Sequence, residues 1–118
     1  MLQKTATWIN KSGTGAGSTV IDAAVTSGEK QYWNRYITGV NADVIGLGAG
    51  EYIKIGVNPS ATTAMFYSET NGYHPVDYRG TSGMLGSRLA GPASTALYVV
   101  RTGAATRFTV DVGQFLAK

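Results

Sequence analysis

The sequence predicts an all-β domain, an antiparallel β-sandwich or jelly roll of about seven or eight strands. Three observations predict it. Helical periodicity fails, because Gly or a β-rich residue interrupts every window that could carry an i, i+3, i+4, i+7 apolar stripe. Period-two alternation recurs instead, at spacings near 8–14 residues between Gly-rich turns. The third is composition: 118 residues hold 16 Gly, 12 aromatics and no Cys, with only 10 basic and 7 acidic side chains. At this mass roughly two-thirds of the unfolded chain's surface is buried on folding, enough for one apolar core without disulfide or metal staples.

The elements follow in order. Residues 5–10 read as a first strand, and 11–17, with Gly13, Gly15 and Gly17, as a run too rich in Gly for regular structure. Residues 19–25 resume as a strand and 26–29 turn. Residues 31–40 carry Tyr32, Trp33, Tyr36 and Ile37 and read as a core strand, with Val44 and Ile45 a short addition. Residues 46–50, Gly-Leu-Gly-Ala-Gly, read as a hairpin turn. Residues 51–57 alternate Ile53, Ile55 and Val57 against Tyr52 and Lys54, one face buried and one wet.

Asn58-Pro59-Ser60 breaks the chain, and 62–68 supply a further uncharged strand with Met65, Phe66 and Tyr67. Residues 69–91 read as a long functional loop or docking segment, regular at most over 82–89. Residues 97–101 and 107–112 then read as a closing hairpin across Thr102-Gly103-Ala104, with Phe108, Val110 and Val112 inward. Two stretches, 55–68 and 89–100, contain no charged residue. They are expected to be buried in the sandwich or against another chain.

Most chemistry is excluded by count or context. Without Cys there is no thiolate nucleophile or thiolate zinc site, and one His with seven carboxylates implies no metal site or cofactor. The N-terminal residues lack the apolar stretch of a signal peptide, and no window approaches a membrane span, so synthesis in the cytosol is the default and no membrane partner is implied. The ten cations are scattered with no two adjacent, which argues against nucleic acid despite a net charge of +3.

Residues 13–18 lack the Lys-Ser/Thr that closes a P-loop, and Ser18 stands where the third Gly or Ala of a dinucleotide fingerprint belongs. A hydrolase site would have to assemble Ser82, His74 and Asp77, but the Gly80-Thr81-Ser82-Gly83 run is one residue short of a nucleophile elbow, and the ordinary reading is a hydrogen-bonded loop His. No catalytic residue is assigned. The aromatic and basic side chains around the irregular stretch, Tyr67, Tyr73, His74, Tyr78, Arg79 and Arg88, together with Trp8, are the candidates for a partner interface or a sugar-stacking surface.

Residues 19–115 resemble the small β-sandwich modules of tailed-bacteriophage virions, the capsid decoration (cement) proteins and tail accessory domains. The resemblance rests on the opening Val20-Ile21-Asp22-Ala23-Ala24-Val25-Thr26-Ser27-Gly28-Glu29 and on the aromatic strand ending Ile37-Thr38-Gly39-Val40-Asn41. It continues through Leu89-Ala90-Gly91-Pro92-Ala93, Leu97-Tyr98-Val99-Val100 and the last strand over 106–113. It implies a non-enzymatic virion protein made in the host cytoplasm, often a homotrimer, that bridges subunits of the major capsid protein or another virion protein. Residues 1–18 lie outside it, as a strand or arm and Gly-rich loop before a single domain over 19–118, and could add a strand to a neighbour. The alternative is a tail or fibre domain, or a carbohydrate-binding receptor-recognition module using Trp8, Trp33, Tyr73 or Tyr78 as platforms.

Overall fold

The computed structural model describes residues 6–61, 64–78 and 87–118. These form nine strands in two antiparallel sheets, with one 3-10 turn over Glu29–Tyr32 as the only helical segment among them. The strands are β1 Thr7–Thr14, β2 Gly17–Asp22, β3 Asn34–Ile45, β4 Ile53–Gly56, β5 Ala64–Ser68, β6 Gly72–Asp77, β7 Arg88–Pro92, β8 Leu97–Arg101 and β9 Arg107–Ala117. Sheet A has the order β1-β9-β3-β6, with β7 pairing β3 directly over 34–37 where β6 pairs it over 39–44, and sheet B the order β2-β8-β4-β5.

The pairing is nested: β1 with β9, β2 with β8, β3 with β6 and β7, β4 with β5. The chain is one long hairpin whose successive pairs alternate between sheets, which is the jelly-roll winding. The expected fold class is therefore observed.

Alternation buries one side of each strand. Ile37, Val40, Ala42 and Val44 of β3 meet Val110 and Val112 of β9, and across the sandwich stand Ile53, Ile55, Leu97 and Val99, all fully buried. Burying a side chain of this size is worth about 1.5–3 kcal/mol each relative to exposure, so this layer supplies the main driving force. At one end the core closes on a charge. Arg35 is fully buried, ion-paired with Asp22, and donates to Gln114 Oε1 (2.6 Å) and the Thr95 carbonyl (3.0 Å).

Several local expectations are corrected. The Gly-rich run over 11–17 does hold structure, since β1 continues to Thr14 along β9. Gly13 leaves room there for the Phe108 ring, which a Cβ would approach to 3.0 Å. The aromatic stretch is not one core strand. Residues 29–32 form the 3-10 turn, Tyr32 is 81% exposed, and Tyr36 points outward to stack on Phe115 at 5.3 Å.

The 46–50 turn and the 102–104 turn are not hairpins. Each carries the chain from one sheet to the other, β3 to β4 and β8 to β9. Gly46 adopts φ 82°, and a Cβ there would collide with the Ala105 carbonyl, so the two crossovers pack backbone to backbone. Among the described residues the sequential strands that pair with each other are β4 and β5, which flank the break over 58–60. The supposed long loop contains β6, and Pro75 is tolerated because β6 is an edge strand of sheet A. Of the expected regular stretch over 82–89, only 87–89 are among the described residues, and Arg88 and Leu89 belong to β7.

Candidate interface surfaces

Period-two alternation that buries one side of each strand presents the other, so the outer faces of the sheets can be read as rows of cross-strand partners. On sheet B, one row is Ser18-Val100-Lys54-Tyr67 and the next Val20-Tyr98-Gly56-Ala64. Lys54 is the single charge in these rows. Its ammonium lies 5.1 Å from the Tyr52 ring, which stacks on Tyr67 at 5.5 Å, so even this cation sits against aromatic surface. Val20 is 40% and Tyr67 51% exposed. Desolvation pushes the Tyr67 phenol up, aided by a hydrogen bond and charge repulsion from Glu69. The face ends at β5, an edge strand with neither charge nor proline, lacking the devices that usually block further pairing.

Sheet A presents different chemistry. Its rows run Trp8-Gly113-Gly39-Asp77, Asn10-Asp111-Asn41-Pro75 and Ser12-Thr109-Asp43-Tyr73, then Thr14-Arg107-Ile45. The indole of Trp8 covers two glycines, Gly113 and Gly39. A Cβ on Gly113 would stand 2.8 Å from the ring, and one on Gly39 3.3 Å. Asn10 Nδ2 donates to Asp111 Oδ1 at 2.7 Å. Two concavities open on this face: a cleft of ≈320 Å³ at Trp8, Gly39, Asn41 and Asp77, and a groove of ≈340 Å³ at Ser12, Asp43, Ile45 and Arg107.

The expected interface residues do not form one patch. Trp8 and Tyr73 lie on the outer face of sheet A, and Tyr67 on that of sheet B. His74, Tyr78 and Arg88 form a seam along the side where β5 faces β6. His74 Nε2 is 2.8 Å from the Thr70 carbonyl oxygen and 3.3 Å from Ser68 Oγ, with its ring 6.3 Å from Phe66. The Tyr78 hydroxyl donates to the Met65 carbonyl, and the Arg88 guanidinium lies 5.5 Å from the Tyr78 ring. Burial pushes the Tyr78 phenol above its ordinary range, partly countered by Arg88. Arg79 lies outside the described residues.

His74 and Asp77 cannot serve one catalytic group, because three residues apart on β6 they point to opposite faces: His74 toward the interior, Asp77 outward. Ser82 lies outside the described residues. Among the described residues no three His, Asp or Glu side chains gather as a metal site, and no helix is long and apolar enough to cross a membrane.

Surface residues that the sequence does not single out as interface candidates are Asn41, Asp43 and Arg107 on sheet A and Val20, Tyr98 and Val100 on sheet B. The signal for them was available: once Val40, Ala42 and Val44 are inward, Asn41 and Asp43 are outward by parity.

No protein-family model and no curated protein sequence matches the chain. Among solved structures it is similar to a chain of the cyanophage Pam1 capsid asymmetric unit, with TM-score 0.49 and 14% identity over 97% of this chain and 84% of that one. It is similar also to a chain of the acid-stable capsid of Helicobacter pylori bacteriophage KHP30, with TM-score 0.47 and 9% identity over 99% and 96%. A chain of tomato aspermy virus follows, with TM-score 0.40 and 9% identity over 97% and 79%.

Proposed function

We propose that this chain is a non-enzymatic structural protein of a bacteriophage virion, a capsid decoration (cement) protein that bridges and stabilises neighbouring capsid subunits. The jelly roll alone does not choose this, because the same winding serves shells, lectins and enzymes. The observation that carries the reading is the outer face of sheet B, where Val20, Tyr98, Val100 and Tyr67 surround a single cation and run into the uncharged edge strand β5. An apolar sheet face beside an unprotected edge is a surface built to be covered.

Its size bears on how it binds. Four strands about 4.8 Å apart and five residues long make a face of roughly 19 by 17 Å, about 300 Å² in projection. A self-sufficient protein interface takes about 800 Å² from each partner. One copy would therefore dock weakly, and firm attachment comes from several joined copies engaging a lattice of repeated sites. This favours a homo-oligomer, with a trimer as the simplest form matching a local threefold on a shell.

The test is sedimentation of purified protein alone and with empty shells of the major capsid protein from the same virus. Self-association and co-sedimentation are expected, both lost in Val20→Glu and Tyr98→Glu, whose outward side chains leave the core intact. Wild-type protein that stays monomeric and does not co-sediment overturns the reading.

A further inference from the structure

The outer face of sheet A carries a second surface, independent of the docking face on sheet B. We infer that it binds a neutral oligosaccharide laid along β3, with Trp8 as the stacking platform at one end and Asp43 and Arg107 as the hydrogen-bonding pair at the other.

The Trp8 cleft has the form this needs. The indole, 46% exposed, lies against a floor of two glycines, so the trough is open where any side chain would fill it. A Cβ at Gly39 would lie 3.0 Å from the Val76 carbonyl oxygen as well as against the indole, so the depth of the cleft depends on that glycine. Asn41 stands in the cleft with an amide that both donates and accepts. A flat apolar ring beside a group of mixed hydrogen-bonding character matches a pyranose, which has an apolar C–H face and a rim of hydroxyls.

Four residues further along β3, Asp43 and Arg107 line the second groove with the hydroxyls of Ser12 and Thr109. In the row between, Asn10 and Asp111 satisfy one another at 2.7 Å. None of these four groove side chains has a hydrogen-bond partner among the described residues, so a carboxylate acceptor, a guanidinium donor and two hydroxyls converge uncommitted on one concavity. Tyr73, paired with Asp43 in the register and 62% exposed, flanks it. From Gly39 to Asp43 the strand advances about 13 Å, so an occupant of both concavities is a chain of several sugars.

Charge selects the class. The rows that line the two concavities hold Asp43, Asp77 and Asp111 against Arg107 alone. Acidic glycans, which would meet this excess of carboxylates, are disfavoured, and neutral or N-acetylated hexose chains are accepted.

The test uses titration calorimetry with chitohexaose, maltohexaose and cellohexaose, and a hyaluronan hexasaccharide as the acidic comparison. At least one neutral hexasaccharide is expected to bind, with hyaluronan at least about tenfold weaker. Trp8→Ala is expected to weaken the neutral ligand at least about tenfold, the usual consequence of truncating an aromatic anchor. Because Trp8 also covers Gly113, Asn41→Ala and Arg107→Ala are read alongside it. Both lie on the surface, and each should weaken binding severalfold at unchanged melting temperature. In a Trp33→Phe background, the remaining Trp8 emission should shift to the blue as sugar covers the ring. Absence of binding to all three neutral hexasaccharides at millimolar concentration overturns the inference. So does binding that Asn41→Ala and Arg107→Ala leave intact, or equal affinity for hyaluronan.

Discussion

Replacing Arg35 by Met tests what closes one end of the sandwich. The guanidinium is fully buried and reaches Asp22, Gln114 Oε1 and the Thr95 carbonyl, while Gln114 Nε2 donates to Asp22 Oδ2 at 2.8 Å. Met matches the length of the apolar stem, so the change isolates the charged head. Removing one partner of a buried ion pair typically costs 3–5 kcal/mol, because the other partner keeps its desolvation penalty without compensation. Asp22 retains 32% side-chain exposure and regains some water, which places the loss at the lower end, about 3 kcal/mol. At about 4 °C per kcal/mol for a domain of this size, the melting temperature should fall by about 12 °C.

Asp22→Asn should cost at least as much, about 3–5 kcal/mol, since it leaves the fully buried Arg35 guanidinium without an anionic partner even though its bonds to Gln114 and Thr95 remain. The double variant should lose less than the sum of the two, because the second change removes a group the first had already stranded. Urea unfolding followed by circular dichroism measures all three. If Arg35→Met lies within 0.5 kcal/mol of wild type on that scale (an allowance of about the usual additivity error), Arg35 is not holding the end of the core and the reasoning fails.

Other perturbations test other parts of the molecule. Gly113→Ala places a methyl 2.6 Å from Thr38 Oγ1 and 2.8 Å from the indole, so it should cost about 1–3 kcal/mol and red-shift Trp8 emission as the ring is pushed into water. Tyr78 has its phenol raised by burial, so the folded state prefers the neutral form. That stability is present below the ordinary tyrosine value of about 10 and is lost as pH rises through the folded-state value. Alkaline unfolding curves should therefore fall less steeply above pH ~10 in Tyr78→Phe than in wild type. Glu51 Oε1 accepts from the Gly48 amide at 2.6 Å, so Glu51→Ala should lower stability by about 1 kcal/mol, read from the urea midpoint.

The sequence carried parity well and pairing poorly. Ile53 and Ile55, Leu97 and Val99, and Phe108, Val110 and Val112 are inward as alternation required, because burial acts on each strand separately. The partner of a strand is set by winding, which leaves no local trace. Gly46 and Gly103 look like hairpin glycines, yet both serve crossovers between sheets, where a Cβ on Gly46 would meet the Ala105 backbone and one on Gly103 the Glu51 carboxylate. Tyr32 and Tyr36 misled for a different reason: aromatic side chains suit a pleated surface whichever way they face, so Tyr36 is on β3 but outward, and Tyr32 falls in the 3-10 turn before the strand begins. The surfaces were legible in part. Composition located a deficit of charge, and the structure divides it: Val99 and Leu97 of the uncharged stretch are buried, while Tyr98, Val100 and Tyr67 form the outer face of sheet B. Arg35, one of ten cations in the count, gave no sign that it lies inside.

The two outer faces should be separable by mutation, and the thin axis of the molecule explains why. The Cα envelope measures 44 × 33 × 20 Å, so the faces lie on opposite sides of two stacked sheets, with the buried aliphatic layer between them. Changes more than about 10 Å apart that share no partner act independently. Val20→Glu, on sheet B, is expected to abolish co-sedimentation with shells while leaving the Trp8 emission response to chitohexaose intact, where that sugar binds wild type. Asn41→Ala, on sheet A, is expected to do the reverse. A single change that abolished both at unaltered stability would mean that one face serves both partners. The assignment of apolar docking to sheet B and polar recognition to sheet A would then be wrong, even though each activity had been found.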